Sequence, residues 1–492
     1  MSIKNIKGHP FSDFSAEEEK QLLKDIFYEP SYYKELRDVV LKGASRLLVG
    51  QRGFGKSVTI YSLYKDLASQ KTLPILIHKY DGIPVEKNES HFLCVILKAI
   101  TNEIAKHLFV ENERRRKLSN YQKDKLSFFI QLFYDSSTAG YYIEKAKEIK
   151  KIKRGIWLRS FFNKNLKAIN TILSCAQSFT STLLRESLQI PVVNNTTEIV
   201  KSFLREVDIP KIESVKWSEI VLLSTNTLKE YLTILIDITN TIGFNSIAIL
   251  FDGIDEYSLV SSDAVTVTKF TEGILKDTQL LYTDNLSIVF SLWSEVKSSL
   301  NTKGVRFDKF PEIHIDWTDG ELESLIDKRL LHFSENKLNP VKLETLVGSQ
   351  MYKDQIMELA NKSPRSLIDL LHKISYKEIN ENVVSFSPGA IAEGIMVYCK
   401  TFDYISLCPL HVKDDYMSWL NKLLSIRLCD FSLEQMAMAL NLRTKTNTPQ
   451  TYISEFKKRG LISLTESIDG NTIYKIVDPR LRYLVSKGIT EL

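Results

Sequence analysis

Five short stretches of this chain read as strands, all but the last apolar without alternation, and each runs into a turn or a polar residue. They are residues 47–49 (LLV), 73–82 (LPILIHKYDG), 247–251 (IAILF), the stretch LSIVFSLWSEV from Leu286, and PEIHIDW from Pro311. Unbroken apolar runs of this length read as strands covered on both faces, the habit of a parallel sheet. Helical spacing fills the gaps. Residues 57–67 place Val58, Tyr61, Leu63 and Tyr64 at helical intervals, and NESHFLCVILKAITNEIAKHLF from Asn88 is amphipathic. Residues 199–207 and 217–242 are helical again, as are FSAEEEKQLLKDIFYEP, which stops at Pro30, and SYYKELRDVVLKG, which stops at Gly43. Strands alternating with helices predict an α/β fold.

Beyond Thr318 the period stays helical to about Leu410. In ANKSPRSLIDLLHKI, Ser363 stands as N-cap and Pro364 at the first helical position. Arg365 then falls in the first turn, where a cation gains nothing from the helix dipole, so an outside anion is expected there. The last eighty residues differ. FSLEQMAMALNL opens with a capping box, Ser432 and Gln435, and TPQTYISEFKKRGLI has Thr448 as N-cap and Pro449 behind it. LISLTES and NTIYKIV flank Asp469-Gly470, a hairpin signal. Two helices followed by a two-stranded wing predict a winged helix. A DNA reader of that type would use residues 448–459 in the major groove. The acidic wing tip, Glu466 and Asp469, faces phosphates badly and favours a structural or switch role instead.

Composition changes the picture little: 43% hydrophobic and 25% charged residues describe a folded globular chain of more than one domain. Charge changes it more. Residues 111–154 carry twelve Lys/Arg against six Asp/Glu, a local balance of +6 in a chain whose total is +5. With the aromatic and basic stretch that follows, residues 111–195 read as a helical insertion. It is a solvated hairpin, a surface for nucleic acid or an acidic partner, or a membrane-surface helix. The five cysteines (Cys94, Cys175, Cys399, Cys408, Cys429) form no C-x-x-C pair, which fits packed thiols in a reducing cytoplasm. Neither a secretory signal nor an apolar run of membrane-spanning length occurs, so no membrane span is expected.

The chemistry is concentrated after the first strand. GQRGFGKS completes G-x-x-x-x-G-K-[ST], with Gly50, Gly55, Lys56 and Ser57 at the fixed positions. Glycines at 50, 53 and 55 let successive N–H groups converge on phosphate oxygens at the positive end of the next helix. Gly50, Gln51, Arg52, Gly53, Phe54, Gly55, Lys56, Ser57 and Val58 are the candidate nucleotide-binding residues. Lys56 would reach the terminal phosphates and the Ser57 hydroxyl would ligate Mg²⁺. A second acidic motif, ILFDGIDEYS, puts Asp252 at a strand end, where it would hold Mg²⁺ through water. Glu256 is the first candidate for orienting the attacking water and Asp255 the second. Ser291 or Ser294, near the end of the next strand, would sense the γ-phosphate or serve as core and loop serines.

Taken together, GQRGFGKS, ILFDGIDE, NKSPRSLIDLL and the final helix–helix–wing pattern resemble the AAA+/STAND superfamily of P-loop ATPases, with the D-G-h-D-E form similar to NACHT-type bacterial members. The resemblance covers residues 30–110 and 200–490. It implies a sheet order 5-1-4-3-2, with Arg365 as the lid arginine called sensor 2. It also implies an ATP-driven, Mg²⁺-dependent switch that acts with a protein partner or as a homo-oligomer, in a bacterial conflict system such as anti-phage defence. Two departures stand out. Gly253 follows the motif's aspartate where archaeal replication initiators have glutamate, and no long repeat domain follows the winged helix before Leu492, so sensing would fall to a partner or the insertion. The second reading is a DNA-associated ATPase of initiator or transposition-regulator type, and a third keeps the nucleotide as a structural ligand. The expected domains are an N-terminal helical segment (1–45), an ATPase core (46–110 and 196–317) interrupted by the insertion (111–195), a helical lid (318–410) and the winged helix (411–492).

Overall fold

The computed structural model describes residues 3–12, 19, 22–110, 114, 116–133, 224–260, 263–408, 412, 414–442, 448–465 and 472–492. Most of the insertion, the helix expected at 199–207, Arg115, Cys175 and the Asp469-Gly470 hairpin with Glu466 therefore lie outside the described residues. Two compact units are formed. One comprises Ser31–Gln51 and Thr59–Ile315. The other comprises Met1–Pro30, Arg52–Val58 and Asp316–Leu492.

The first unit is built on a five-stranded parallel sheet. Its strands are β1 (Arg46–Val49), β2 (Thr72–Ile77), β3 (Ser246–Phe251), β4 (Leu286–Leu292) and β5 (Glu312–His314), in the spatial order β2-β3-β4-β1-β5. Read from the other edge this is 5-1-4-3-2, an α/β fold of P-loop NTPase type. Every residue of β3 and β4 is buried, which is why these strands read as unbroken apolar runs. Pro74 falls in β2, at the sheet edge, where a missing N–H costs no central ladder bond. Phe251 and Phe290 are register partners and stack at 4.3 Å with their planes 6° apart. Phe92, Phe270 and Tyr80 close around them, and such aromatic pairs add about 0.5–1.5 kcal/mol each beyond buried area. The helices Glu89–Val110 and Thr225–Thr241 pack together, as do Ala264–Lys276 and Ser294–Thr302. The helix Ser31–Leu41 ends where expected: Gly43 takes φ 80° and its N–H bonds the Val40 carbonyl.

The second unit is helical up to Thr401. Its helices Asp319–Phe333, Leu343–Val347, Gln350–Ala360, Pro364–Lys377 and Pro388–Thr401 cover most of the stretch expected to be helical. The described N-terminal residues are stitched onto this array, and the stretch of residues 13–18 within the helix expected before Pro30 lies outside the described residues. The Lys4 N–H bonds the Val383 carbonyl, the Lys7 N–H bonds the Phe333 carbonyl, and Phe11 is buried. Arg329, buried, ion-pairs with Glu19 and donates to the Pro10 carbonyl. Only Leu23–Ile26 is helical among the described residues before Pro30.

The C-terminal part alternates the helix Tyr416–Ser425, strand β6 (Asp430–Ser432), the helices Leu433–Ala439 and Thr448–Lys458, strands β7 (Ile462–Leu464) and β8 (Ile473–Ile476), and the helix Pro479–Ser486. The three strands form an antiparallel sheet in the order β6-β8-β7. The capping box of Ser432 and Gln435 is present. Strand β6 is three residues long and was not expected, because so short a run carries no period to read.

Candidate functional site

Strand β1 hands the chain to the glycine-rich loop. Leu47, Leu48 and Val49 are wholly buried and pair with β4 on one side and β5 on the other, so the loop leaves from the middle of the sheet. At Gly50 a side chain would meet Ile315, whose Cβ lies 3.0 Å from where a Cβ would stand. Gly53 and Gly55 take φ 85° and 87°, a region that L side chains rarely enter. The helix Lys56–Ala68 begins at once, with Lys56, Ser57 and Val58 half-buried at its N-terminus and Gln51 and Arg52 exposed ahead of it.

Around this loop, within the unit that holds Arg52–Val58, stand three residues of the C-terminal array. The Trp317 indole N–H donates to the Phe54 carbonyl at 3.0 Å, and Trp317 and Phe54 are both buried. The Ser363 hydroxyl and the Arg365 backbone N–H both reach the Gly53 carbonyl at 3.3 Å. Ser363 is also the N-cap of Pro364–Lys377, accepting from the Ser366 N–H, with Pro364 at the helix start as expected. A Cβ on Gly53 would stand 3.0 Å from the Ser363 Oγ and 3.5 Å from the Arg365 Cβ. Arg365 is thus brought alongside the loop, its side chain exposed.

The acidic motif is assembled separately, in the sheet unit. Because Phe251 pairs with Phe290, and Val49 with Leu292, the ends of β3, β4 and β1 form one edge. Asp252 sits on it, 3% exposed, its N–H bonded to the Ile77 carbonyl. Gly253 turns the chain at φ 65°, and a short 3-10 turn, Ile254–Glu256, follows. Asp255 is half-buried and Glu256 exposed. The Glu256 carboxylate folds back, its Oε2 being 3.6 Å from where a Cβ on Gly253 would stand. Ser291 is buried within β4, and Ser294 begins the next helix.

Tyr80 had no sequence signal and is central to this motif. Its phenol lies within hydrogen-bond reach of two carbonyls, Asp252 at 2.8 Å and Ile77 at 3.1 Å. Burial pushes its pKa well above the ordinary tyrosine value, and the charges of Asp252, Asp255 and Glu256 push it further. It therefore stays a neutral donor. Tyr257 works similarly one turn on, donating to the Ile83 carbonyl.

As a magnesium site, the expected donors are one hydroxyl, Ser57, and one carboxylate, Asp252. Among the described residues no group of three or more His, Cys, Asp or Glu could hold a metal. Two hard oxygen donors suit an ion that keeps several waters and takes the rest of its shell from phosphates.

No family model matches the sequence, and no curated protein matches it. Among solved structures the chain is similar to the ORC2 protein of Aeropyrum pernix, described in its ADPNP-ADP complexes, at 10% identity and TM-score 0.41, over 95% of this chain and 97% of that one. It is also similar to a Walker-type ATPase of Pyrococcus abyssi (13% identity, TM-score 0.39, covering 94% and 96%). A third is the CDC6P protein of Pyrobaculum aerophilum (13% identity, TM-score 0.33, covering 98% of both). The fold of this chain rests on its own sheet order and on the loop after β1. Among the described residues no helix is long and apolar enough to cross a membrane.

Proposed function

We propose that the protein is a nucleotide-driven switch of AAA+ type that binds ATP with Mg²⁺ in the loop of residues 50–58 and hydrolyses it slowly. The observation that carries this reading is the loop itself: two glycines at φ 85° and 87° between a buried central strand and the first turn of the helix Lys56–Ala68. That conformation turns consecutive N–H groups to one side at a helix N-terminus, a ready site for phosphate. Lys56 supplies a point charge for the terminal phosphates. Ser57 and, through water, Asp252 are the residues that would hold Mg²⁺, which when bound neutralises charge on the β- and γ-phosphates. Glu256 is assigned to orient the attacking water, with Asp255 as its alternate, and Arg365 to report the γ-phosphate. The test is calorimetric titration with ATP and Mg²⁺, followed by phosphate release; a protein that takes up no nucleotide sinks the reading.

For the output of the switch, the C-terminal elements favour the DNA-associated reading over a role in a conflict system. The order helix, β6, helix, helix, β7, β8 supports a winged helix. Its helix Thr448–Lys458 ends in Lys457 and Lys458, and Lys422 lies 4.2 Å from the Trp419 ring centre beside it. Cations set among aromatic rings suit phosphate and base faces together. Arg459 is withdrawn from this surface: it is 3% exposed and bound to Asp415 at 2.6 Å and to Glu455. A protein partner or self-assembly on ATP binding remains part of the proposal, since a switch needs something to act on.

A further inference from the structure

Two consecutive carbonyls of the phosphate loop are held by donors from far along the chain. The Gly53 carbonyl accepts from the Ser363 hydroxyl and the Arg365 N–H, and the Phe54 carbonyl accepts from the Trp317 indole. Among the described residues every peptide bond is trans. In a planar trans peptide the N–H points opposite to the C=O of the same unit. Holding the Gly53 carbonyl toward Ser363 and Arg365 therefore aims the Phe54 N–H away from them. Holding the Phe54 carbonyl toward Trp317 likewise aims the Gly55 N–H away from the indole. Both N–H groups belong to the loop that would receive the phosphates.

We infer that Trp317, with Ser363, is a positioning residue for the nucleotide: it shapes the loop for phosphate without touching it. The inference rests on the reading of residues 50–58 as a nucleotide site. Several features make the Trp317 bond a fixed one. The indole N–H can only donate, and its ring packs at van der Waals distance from Gly55, 4.0 Å from where a Cβ would stand. Tyr28 backs it, the two ring centres 6.3 Å apart. A glycine-rich loop left to itself samples many conformations, so most of its phosphate affinity would be spent on ordering. Donors that hold its carbonyls remove part of that cost before the ligand arrives.

The effect should fall equally on ADP and ATP, because the loop's N–H groups serve phosphates that both possess. Trp317→Phe keeps the ring and deletes the N–H. By calorimetric titration of the full chain, its Kd for ADP and for ATP should each rise about three- to tenfold, the range of one lost hydrogen bond. A structural role alone would lower the unfolding midpoint without nucleotide and leave both Kd values where they were. Kd values within twofold of wild type in a folded Trp317→Phe protein overturn the inference while the nucleotide site stands. Failure of the wild-type protein to bind ADP overturns both. Should Trp317→Phe not fold, Ser363→Ala carries the same test: an equal weakening of ADP and ATP supports the inference, and unchanged affinity overturns it.

Discussion

The Tyr80 phenol donates to the main-chain carbonyl of Asp252 at 2.8 Å, from 172 residues earlier in the chain. Tyr80 follows β2 and Asp252 follows β3, so this bond ties together the ends of two neighbouring strands at the edge where the acidic motif begins. It fixes the peptide after Asp252, from which Gly253 turns the chain toward Asp255 and Glu256. Tyr80→Phe leaves that buried carbonyl short of a donor. The unfolding free energy should fall by about 1–3 kcal/mol, read from urea denaturation. ATP turnover should fall with it while nucleotide affinity holds. Full turnover in the variant would separate Tyr80 from the acidic motif.

Lys56→Ala should abolish measurable ATP affinity. Lys56 stands at the first position of the helix that follows the loop, and it is the loop's own point charge for the terminal phosphates. Titration calorimetry on the variant decides the matter. Unaltered binding would end the phosphate-loop reading, and with it the roles given to Ser57 and Arg365.

Between the two acids, Glu256→Gln should keep ATP bound and slow turnover at least tenfold, since it preserves shape and removes the charge that orients water. The Glu256 carboxylate folds back over Gly253 in the same turn. Asp255→Asn should be milder. If single-turnover rates show the reverse, Asp255 takes the role and Glu256 becomes an exposed acid of the turn.

What the sequence made legible follows from what is local. Residues 50–57 announce the loop because glycines at fixed offsets, a lysine and a serine are all demanded by one ligand. Strands β3 and β4 were readable because burial on both faces removes every polar residue but serine from their interiors. Ser363 and Pro364 marked a helix start by backbone chemistry alone. Tyr80, Trp317 and the second use of Ser363 were not readable. Each acts through a carbonyl 172 to 310 residues distant, and a hydrogen bond to a carbonyl leaves no mark on the residue that owns it. The attachment of the N-terminus to the helix Asp319–Phe333 was hidden for the same reason: Glu19 in a run of acids looks like a solvated helix face until Arg329 is beside it.

A pH dependence is built into the helical array at Glu378. Its carboxylate is buried, accepting from the Ser387 N–H at 2.7 Å and the Asn380 N–H at 3.1 Å. Burial alone would raise its pKa, but those hydrogen bonds outweigh it and leave the carboxyl below its ordinary 4.5. A depressed folded pKa means stability that is fully present above 4.5 and lost as pH falls through the folded value. Glu378→Gln should therefore cost about 1–3 kcal/mol at neutral pH, with the gap from wild type closing as pH drops below that point. Urea denaturation of both proteins across the acid range reads this directly, and a gap constant with pH would mean that the carboxylate charge plays no part.

The DNA-associated output can be tested without cutting the chain. Removing the C-terminal elements would take the Arg480 guanidinium away from the Phe402 ring, over which it lies at 3.5 Å, and from the buried Tyr398 hydroxyl. An unpaired or exposed interior would then confuse the result. Charge reversal at the end of the helix Thr448–Lys458 avoids this, because Lys457 and Lys458 are exposed. If they face phosphates, Lys457→Glu with Lys458→Glu should weaken duplex DNA binding at least tenfold. It should also reduce the slope of log K against log salt by about two, one for each lost contact. Basal ATP turnover should stay unchanged, since neither residue belongs to the phosphate loop or the acidic motif. If the C-terminal part acts on the protein itself rather than on DNA, the double variant will move basal turnover and leave the salt slope alone. Measuring both quantities on the same preparation distinguishes the two outputs, and a change in turnover with DNA affinity intact would overturn the DNA-associated reading.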